Sequence, residues 1–176
     1  MRCLLASLLL ASAPMAAAAE PPEKFYYLGE VRLTSPAGKS LGSQVILVEK
    51  TVDREKSEVG ERALVVQADG KVDEYPVRMP IKPDGSFTLT NEDKTVEGSG
   101  QLFGPMWKWT YFKATFKAKT GVTIEDENFM PDDSIITARK KVIAPNGQVM
   151  LYMDETVKAI TPKTFEVLRA GLRKKQ

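Results

Sequence analysis

From Phe25 onward the chain falls into short segments rich in Val, Ile, Thr, Phe and Tyr, with little of the i, i+3, i+4 spacing that marks an amphipathic helix. Turn residues punctuate these segments at strand-length intervals: Asp69-Gly70, Pro83-Asp84-Gly85, Asn91-Glu92-Asp93, Gly104-Pro105, Thr120-Gly121, Pro131-Asp132-Asp133 and Pro145-Asn146-Gly147. Such residues tolerate or pre-set the backbone angles of tight turns. The pattern predicts strands at 25–34, 44–53, 62–68, 72–79, 85–91, 94–103, 106–119, 122–130, 135–144, 147–160 and 164–170. Some of these merge, leaving about eight to ten strands. Thr51 to Arg62, TVDREKSEVGER, reads as one long, charged, solvated loop, and Ser35 to Gly42 as a second flexible stretch.

Connections this short favour an antiparallel meander, because parallel neighbours need crossovers of about a dozen residues or more. A meander of this many strands tends to close on itself and so hide its edges. The expected fold class is therefore all-β, an up-and-down barrel, with a β-sandwich as the alternative. Two readings compete at the C-terminus. Thr161-Pro162 suits a helix start, and Phe165, Leu168 and Leu172 share a helical face with Gly171 as a stop. Thr164-Phe165-Glu166-Val167 instead alternates as a strand does. The strand reading is preferred, because a barrel needs a last strand to pair with its first.

The N-terminus adds a setting to this picture. In MRCLLASLLLASAPMAAAAE, Arg2 supplies a positive start, Leu4 to Leu10 an apolar run, and Ala17-Ala18-Ala19 a small-residue cleavage site. This reads as a secretory signal peptide at 1–19, with a single β-barrel domain at 20–176 that is periplasmic or secreted. The apolar run falls short of the ~20 strongly apolar residues of a membrane span. Cleavage near Ala19 would remove Cys3, the single cysteine, and the sequence has no histidine. Disulfides, Cys-rich zinc sites and cysteine nucleophiles then fall away, and so does neutral-pH proton transfer by histidine. Lys and Arg number 25 against 23 Asp and Glu, too small a basic excess for a dedicated nucleic-acid binder. No cofactor is expected.

Chemistry concentrates in the segment Met106 to Lys117. Trp107, Trp109 and Tyr111 share one strand face, whereas from Phe112 the apolar phase flips to Phe112, Ala114 and Phe116. A period-two strand accommodates that flip with a bulge near 111–112 or with apolar contacts on both faces. Facing a barrel interior, the tryptophan stripe would line an apolar cavity, its indole N–H groups orienting a ligand; facing other side chains, it simply fills the core. A register argument adds an arginine. If Pro131 to Ser134 and Asn146-Gly147 are the hairpin loops, Asp126 falls opposite Arg139 and Arg139 opposite Asp154. Outside the barrel this ladder is a surface ion network; inside, Arg139 could meet an anionic head group. The candidate ligand-binding set is Trp107, Trp109, Tyr111, Phe129, Arg139 and Tyr152. The acidic stretch Glu125-Asp126-Glu127-Asn128 with Asp132-Asp133 lacks the spacing of an EF-hand and reads as a solvated strand end. The basic tail Arg169, Arg173, Lys174 and Lys175 reads as a frayed terminus, with contact to anionic lipid as the alternative.

Glu97-Gly98-Ser99-Gly100 matches a nucleophile elbow by letters alone, without the strand–turn–helix context that motif needs. The signal peptide, the run of hairpins, the tryptophan-bearing strand and the closing Ile160…Phe165-Glu166-Val167 together resemble a lipocalin-like (calycin) barrel, of the small exported bacterial type. Gly29-Glu30-Val31 supplies the glycine of the lipocalin G-x-W without its tryptophan. The resemblance implies a barrel cavity that holds a small apolar or amphipathic molecule such as a lipid. The expected function is a non-catalytic exported binding protein. The alternatives are an envelope protein-binding or structural module with a filled barrel, and a hydrolase using a carboxylate acid–base pair.

Overall fold

The computed structural model describes residues 21–173. The signal-peptide reading of 1–19, Cys3 and the tail residues Lys174 and Lys175 lie outside them. Ten strands follow one another: β1 (Glu23–Thr34), β2 (Ser40–Asp53), β3 (Glu58–Val66), β4 (Val72–Pro80), β5 (Ser86–Asn91), β6 (Val96–Phe103), β7 (Tyr111–Ala118), β8 (Thr123–Asp132), β9 (Ile135–Ile143) and β10 (Val149–Ala159). Each pairs antiparallel with the next, and β10 returns to β1 to close the barrel. The all-β meander expected from the turn signals is the fold, and it is a barrel rather than a sandwich.

Five of the hairpins use one local device. The side-chain oxygens of Asp69, Asp84, Asp93, Asp132 and Asn146 each accept a hydrogen bond from the backbone N–H two residues on, at 2.7–3.1 Å. An acidic or amide side chain thereby mimics a backbone turn. In the last of these, Gly147 follows with φ of 83°, a left-handed conformation that costs glycine little.

Two segments expected to be irregular, Ser35 to Gly42 and Thr51 to Arg62, are ordered hairpins, the first turning between Thr34 and Ser40. In Thr51 to Arg62, β2 runs on to Asp53 and β3 starts at Glu58, leaving only a tight turn between them. The charged letters conceal inward-facing Val52 and Val59, both buried, while Arg54 reaches outward to Glu23 at 2.9 Å. The expected strand at 106–119 is corrected the other way: β7 begins at Tyr111, and 104–110 is a loop in which Trp107 adopts φ of 63°. That loop, rather than a bulge, absorbs the phase flip.

The C-terminal segment is also a correction. It forms α1 (Pro162–Arg173) instead of a strand. Thr161 caps it, its hydroxyl accepting from the Thr164 N–H at 3.2 Å. Closure is already provided by β10, which pairs with β1 from Tyr27↔Ala159 to Thr34↔Tyr152. What the barrel lacks is cover for an outward apolar stripe. In β2, Ile46 and Val48 face inward while Leu47 between them faces out, yet all three are buried. Helix residues Phe165, Leu168 and Leu172 close over Leu47, Leu64, Tyr26 and Leu28, with the Tyr26 and Phe165 rings 4.7 Å apart. The 3.6-residue spacing prevails because it has a surface to bury.

Candidate functional site

The barrel encloses a cavity of about 620 Å³, within the range of small-molecule sites. Every one of the ten strands contributes to its lining. Its walls are apolar: Val31, Ile46, Val65, Leu89, Phe112, Phe116 and their neighbours. It opens where the exposed turn residues Glu92 and Asp93 line it, beside Gln44, Gln67 and Asn91. Part of the wall is thin. β4 and β5 share only the pairs Val77↔Asn91 and Arg78↔Thr90, and the consecutive residues Glu74 to Val77 border the cavity there.

The floor is charged. Glu61 of β3, Asp126 of β8, Lys140 of β9 and Glu155 of β10 line both this cavity and a smaller one of about 70 Å³ beneath it. The Lys140 Nζ donates to Glu155 Oε2 at 2.7 Å and lies 3.9 Å from Asp126 Oδ2. Asn128 Nδ2 donates to Asp126 Oδ1 at 2.7 Å. Asp126 is 4% exposed and Glu155 8%. Burial pushes the Asp126 carboxyl up to about 6 despite the ammonium of Lys140. For Lys140 burial works against the charge, but the carboxylates of Glu155 and Asp126 outweigh it and hold the amine above the ordinary lysine range. Glu61 is raised by burial and makes no hydrogen bond or ion pair among the described residues. Lys50 of β2, pulled down by burial, lines the smaller cavities beneath the floor rather than the large one.

Trp107 and Trp109 sit away from the large cavity. Their rings pack 5.0 Å apart and border small voids at the opposite end of the barrel, against Phe25, Val52 and Met130. They close that end of the barrel. Tyr111 and Phe129 are cross-strand partners whose side chains lie on the outer face, where Tyr111 meets Phe103 at 5.4 Å and Phe129 is 54% exposed. Arg139 pairs with Asp154 at 3.0 Å with most of its side chain in solvent. Tyr152 shares that outward parity on β10, two residues from Asp154 and paired with Lys141.

The ladder register explains why Arg139 is outside. Arg139 does stand opposite Asp154, but opposite Glu127 rather than Asp126. The turn is Asp133-Ser134 alone, with Asp132 opposite Ile135, and a bulge between Phe129 and Asp132 recovers one of the two residues of slip this shorter turn causes, so Asp126 meets Lys140 instead. At the next hairpin two irregularities cancel. The loop spans Pro145, Asn146 and Gly147, and a bulge between Val149 and Leu151 restores the Arg139–Asp154 alignment. The motif-like Gly98-Ser99-Gly100 lies within β6. A Cβ at Gly98 or Gly100 would come within 2.5 Å of the Phe116 or Phe87 ring, so these glycines make room for aromatic packing.

No protein-family model matches the sequence, and a search of curated proteins finds no relative. The fold is similar to that of an S-type phycobiliprotein lyase from Guillardia theta, with a TM-score of 0.52 at 7% identity over 77% of this chain and 87% of that one. A protein of unknown function from Bacteroides ovatus aligns at a TM-score of 0.34 and 16% identity, over 80% of this chain and 42% of that one. The first likeness is one of fold alone, the fold here being a closed antiparallel barrel.

Proposed function

We propose that this protein is an exported, non-catalytic carrier that holds a small amphipathic molecule inside its barrel. The observation that carries the reading is the cavity of about 620 Å³, apolar on its walls and polar at its floor and mouth. Apolar walls reward burial of a hydrocarbon body at about 25 cal/mol per Å², and the convergent polar floor fixes its orientation. The calycin-like fold supports the same use of the interior. Export rests on the residue pattern of 1–19.

The test is a titration with polarity-sensitive dyes and amphiphiles, followed by dye fluorescence and native mass spectrometry. Saturable binding with one molecule per chain is expected. Ala63→Phe, which fills the cavity from a buried wall position, should abolish binding while leaving the β-sheet circular dichroism intact. Absence of binding across amphiphiles of every head-group class would overturn the proposal.

A second reading has a specific observation behind it. Glu61, Asp126 and Glu155 converge on one cavity, and the Asp126 carboxyl, pushed up to about 6, has the poise of a general acid. This is the arrangement a carboxylate hydrolase needs. Against it, Lys140 ties up Glu155 at 2.7 Å, which leaves Glu61, itself raised by burial, as the one uncommitted partner for Asp126 in the cavity lining. Turnover of a chromogenic ester or glycoside panel that Asp126→Asn abolishes would establish the hydrolase and displace the carrier reading.

A further inference from the structure

We infer that the molecule held in the cavity carries a cationic head, an amine or another protonated nitrogen, which seats on the barrel floor against Glu61. The inference rests on the carrier reading and specifies its ligand class.

Three observations converge. The first is the charge of the lining. Glu61, Glu74, Glu92, Asp93, Asp126 and Glu155 border the cavity, against Lys140 alone among the bases. The outermost of these are partly occupied: Glu74 pairs with Arg62 at 2.9 Å and Asp93 accepts from Thr95. The floor keeps three carboxylates for one ammonium. The second is the partnering of that ammonium. Lys140 is committed to Glu155 at 2.7 Å and leans toward Asp126, and the other interior cation, Lys50, faces the voids beneath. An anionic head group would find no open cation in the cavity and would meet carboxylates at every approach.

The third is Glu61 itself. Its carboxylate lies deep in the barrel, borders the cavity and has no hydrogen-bond or ion-pair partner among the described residues. An enclosed carboxylate without a partner is costly. It carries that cost as a raised pKa, which the charges of Lys140 and Lys50 offset only in part. An ammonium seated there would supply the missing donors as a charge-assisted hydrogen bond, the strong kind. The apolar walls above it, Val65, Phe112 and Phe116 among them, would hold the hydrocarbon body. The mouth acids Glu92 and Asp93 would favour approach of a cation through the same field.

The experiment compares dodecylamine, dodecanol and dodecanoate, equal in chain and different in head, by dye displacement on the full chain from about pH 5 to about pH 8. Expected is amine binding at least about tenfold tighter than alcohol or acid at neutral pH. Amine affinity should also rise with pH as the floor carboxylates ionise, while alcohol affinity stays flat. Glu61→Gln should lose about tenfold or more in amine affinity; Glu127→Gln, on the outer face beside Lys113, should lose none. Dodecanoate or dodecanol binding best would overturn the cationic head and leave the carrier standing. Binding of none of the three, together with failure across the dye panel, would overturn the carrier as well. Should Glu61→Gln fail to fold, the rank order and pH profile of the unmodified protein decide the matter alone.

Discussion

Replacing Asp126 by asparagine should make the protein more stable at neutral pH, although it deletes a buried charge beside a lysine. The carboxyl moves from an ordinary 3.8 to about 6 on folding, and each unit corresponds to about 1.4 kcal/mol. Holding Asp126 ionised in place at pH 7 therefore costs about 3 kcal/mol relative to the unfolded chain, with the attraction of Lys140 already included. The sign follows from proton counting. Between about pH 4 and pH 6 the folded state binds the proton and the unfolded state does not, so stability falls as pH rises through that window. Below it both states are protonated and the penalty vanishes. Asparagine keeps the side-chain size and the oxygen that accepts from Asn128 at 2.7 Å. Asp126→Asn should thus gain about 1–3 kcal/mol at pH 7, because Lys140 keeps Glu155 as its partner at 2.7 Å, and nothing near pH 4. Urea midpoints across that range, at constant m, measure the difference. A variant no more stable than the parent at pH 7, with the same pH slope, would refute the reasoning.

Lys140→Met should lose about 3–5 kcal/mol near neutral pH, because it strands Glu155 and Asp126 without their cation; acid should shrink the loss, and urea unfolding at two pH values will show whether it does. Phe165→Ala, at a position 1% exposed under the helix, should cost about 3–5 kcal/mol, with hydrogen exchange of 162–173 rising before that of the strands. Gly29→Ala places a Cβ 1.9 Å from the Thr156 carbonyl oxygen on the closing β1–β10 pair. It should cost about 3 kcal/mol or more and lower the thermal midpoint by about 10 °C; a fall of a degree or two would contradict the close approach.

The barrel was legible because turn chemistry is local. Asp84-Gly85 or Asn146-Gly147 announces a hairpin whatever surrounds it, and consecutive hairpins leave few topologies. The helix was not, because Phe165, Leu168 and Leu172 compete with an equally good alternation, and the tie is broken by Leu47 and Leu64 more than a hundred residues upstream. The charged floor was hidden for a different reason. Glu125-Asp126-Glu127-Asn128 reads as a solvated run, yet Asp126 alternates in phase with Ile124 and Met130. Glu61 does so with Val59 and Ala63, and Glu155 with Met153 and Val157. Period two marks all three as inward; polarity argued the opposite, and for Asp126 and Glu155 only tertiary pairing with Lys140 reconciles the two. The place of Trp107 and Trp109 away from the large cavity was hidden because aromatic rings serve as readily to plug a barrel as to line it.

The short β4–β5 register leaves a lengthwise breach in an otherwise continuous ladder, and a breach in a sheet is a template for a neighbour's strand. From Asp73 to Pro76 the β4 backbone has ladder partners on β3 alone. The residues placed there answer the hazard: Asp73 and Glu74 put charged side chains on the open edge, paired with Lys71 and Arg62, and Pro76 withholds an N–H from any incoming chain. The same stretch can part from β5 without unzipping a long row of hydrogen bonds. A barrel built this way keeps one flank soft enough to yield and too poorly matched for polymerisation.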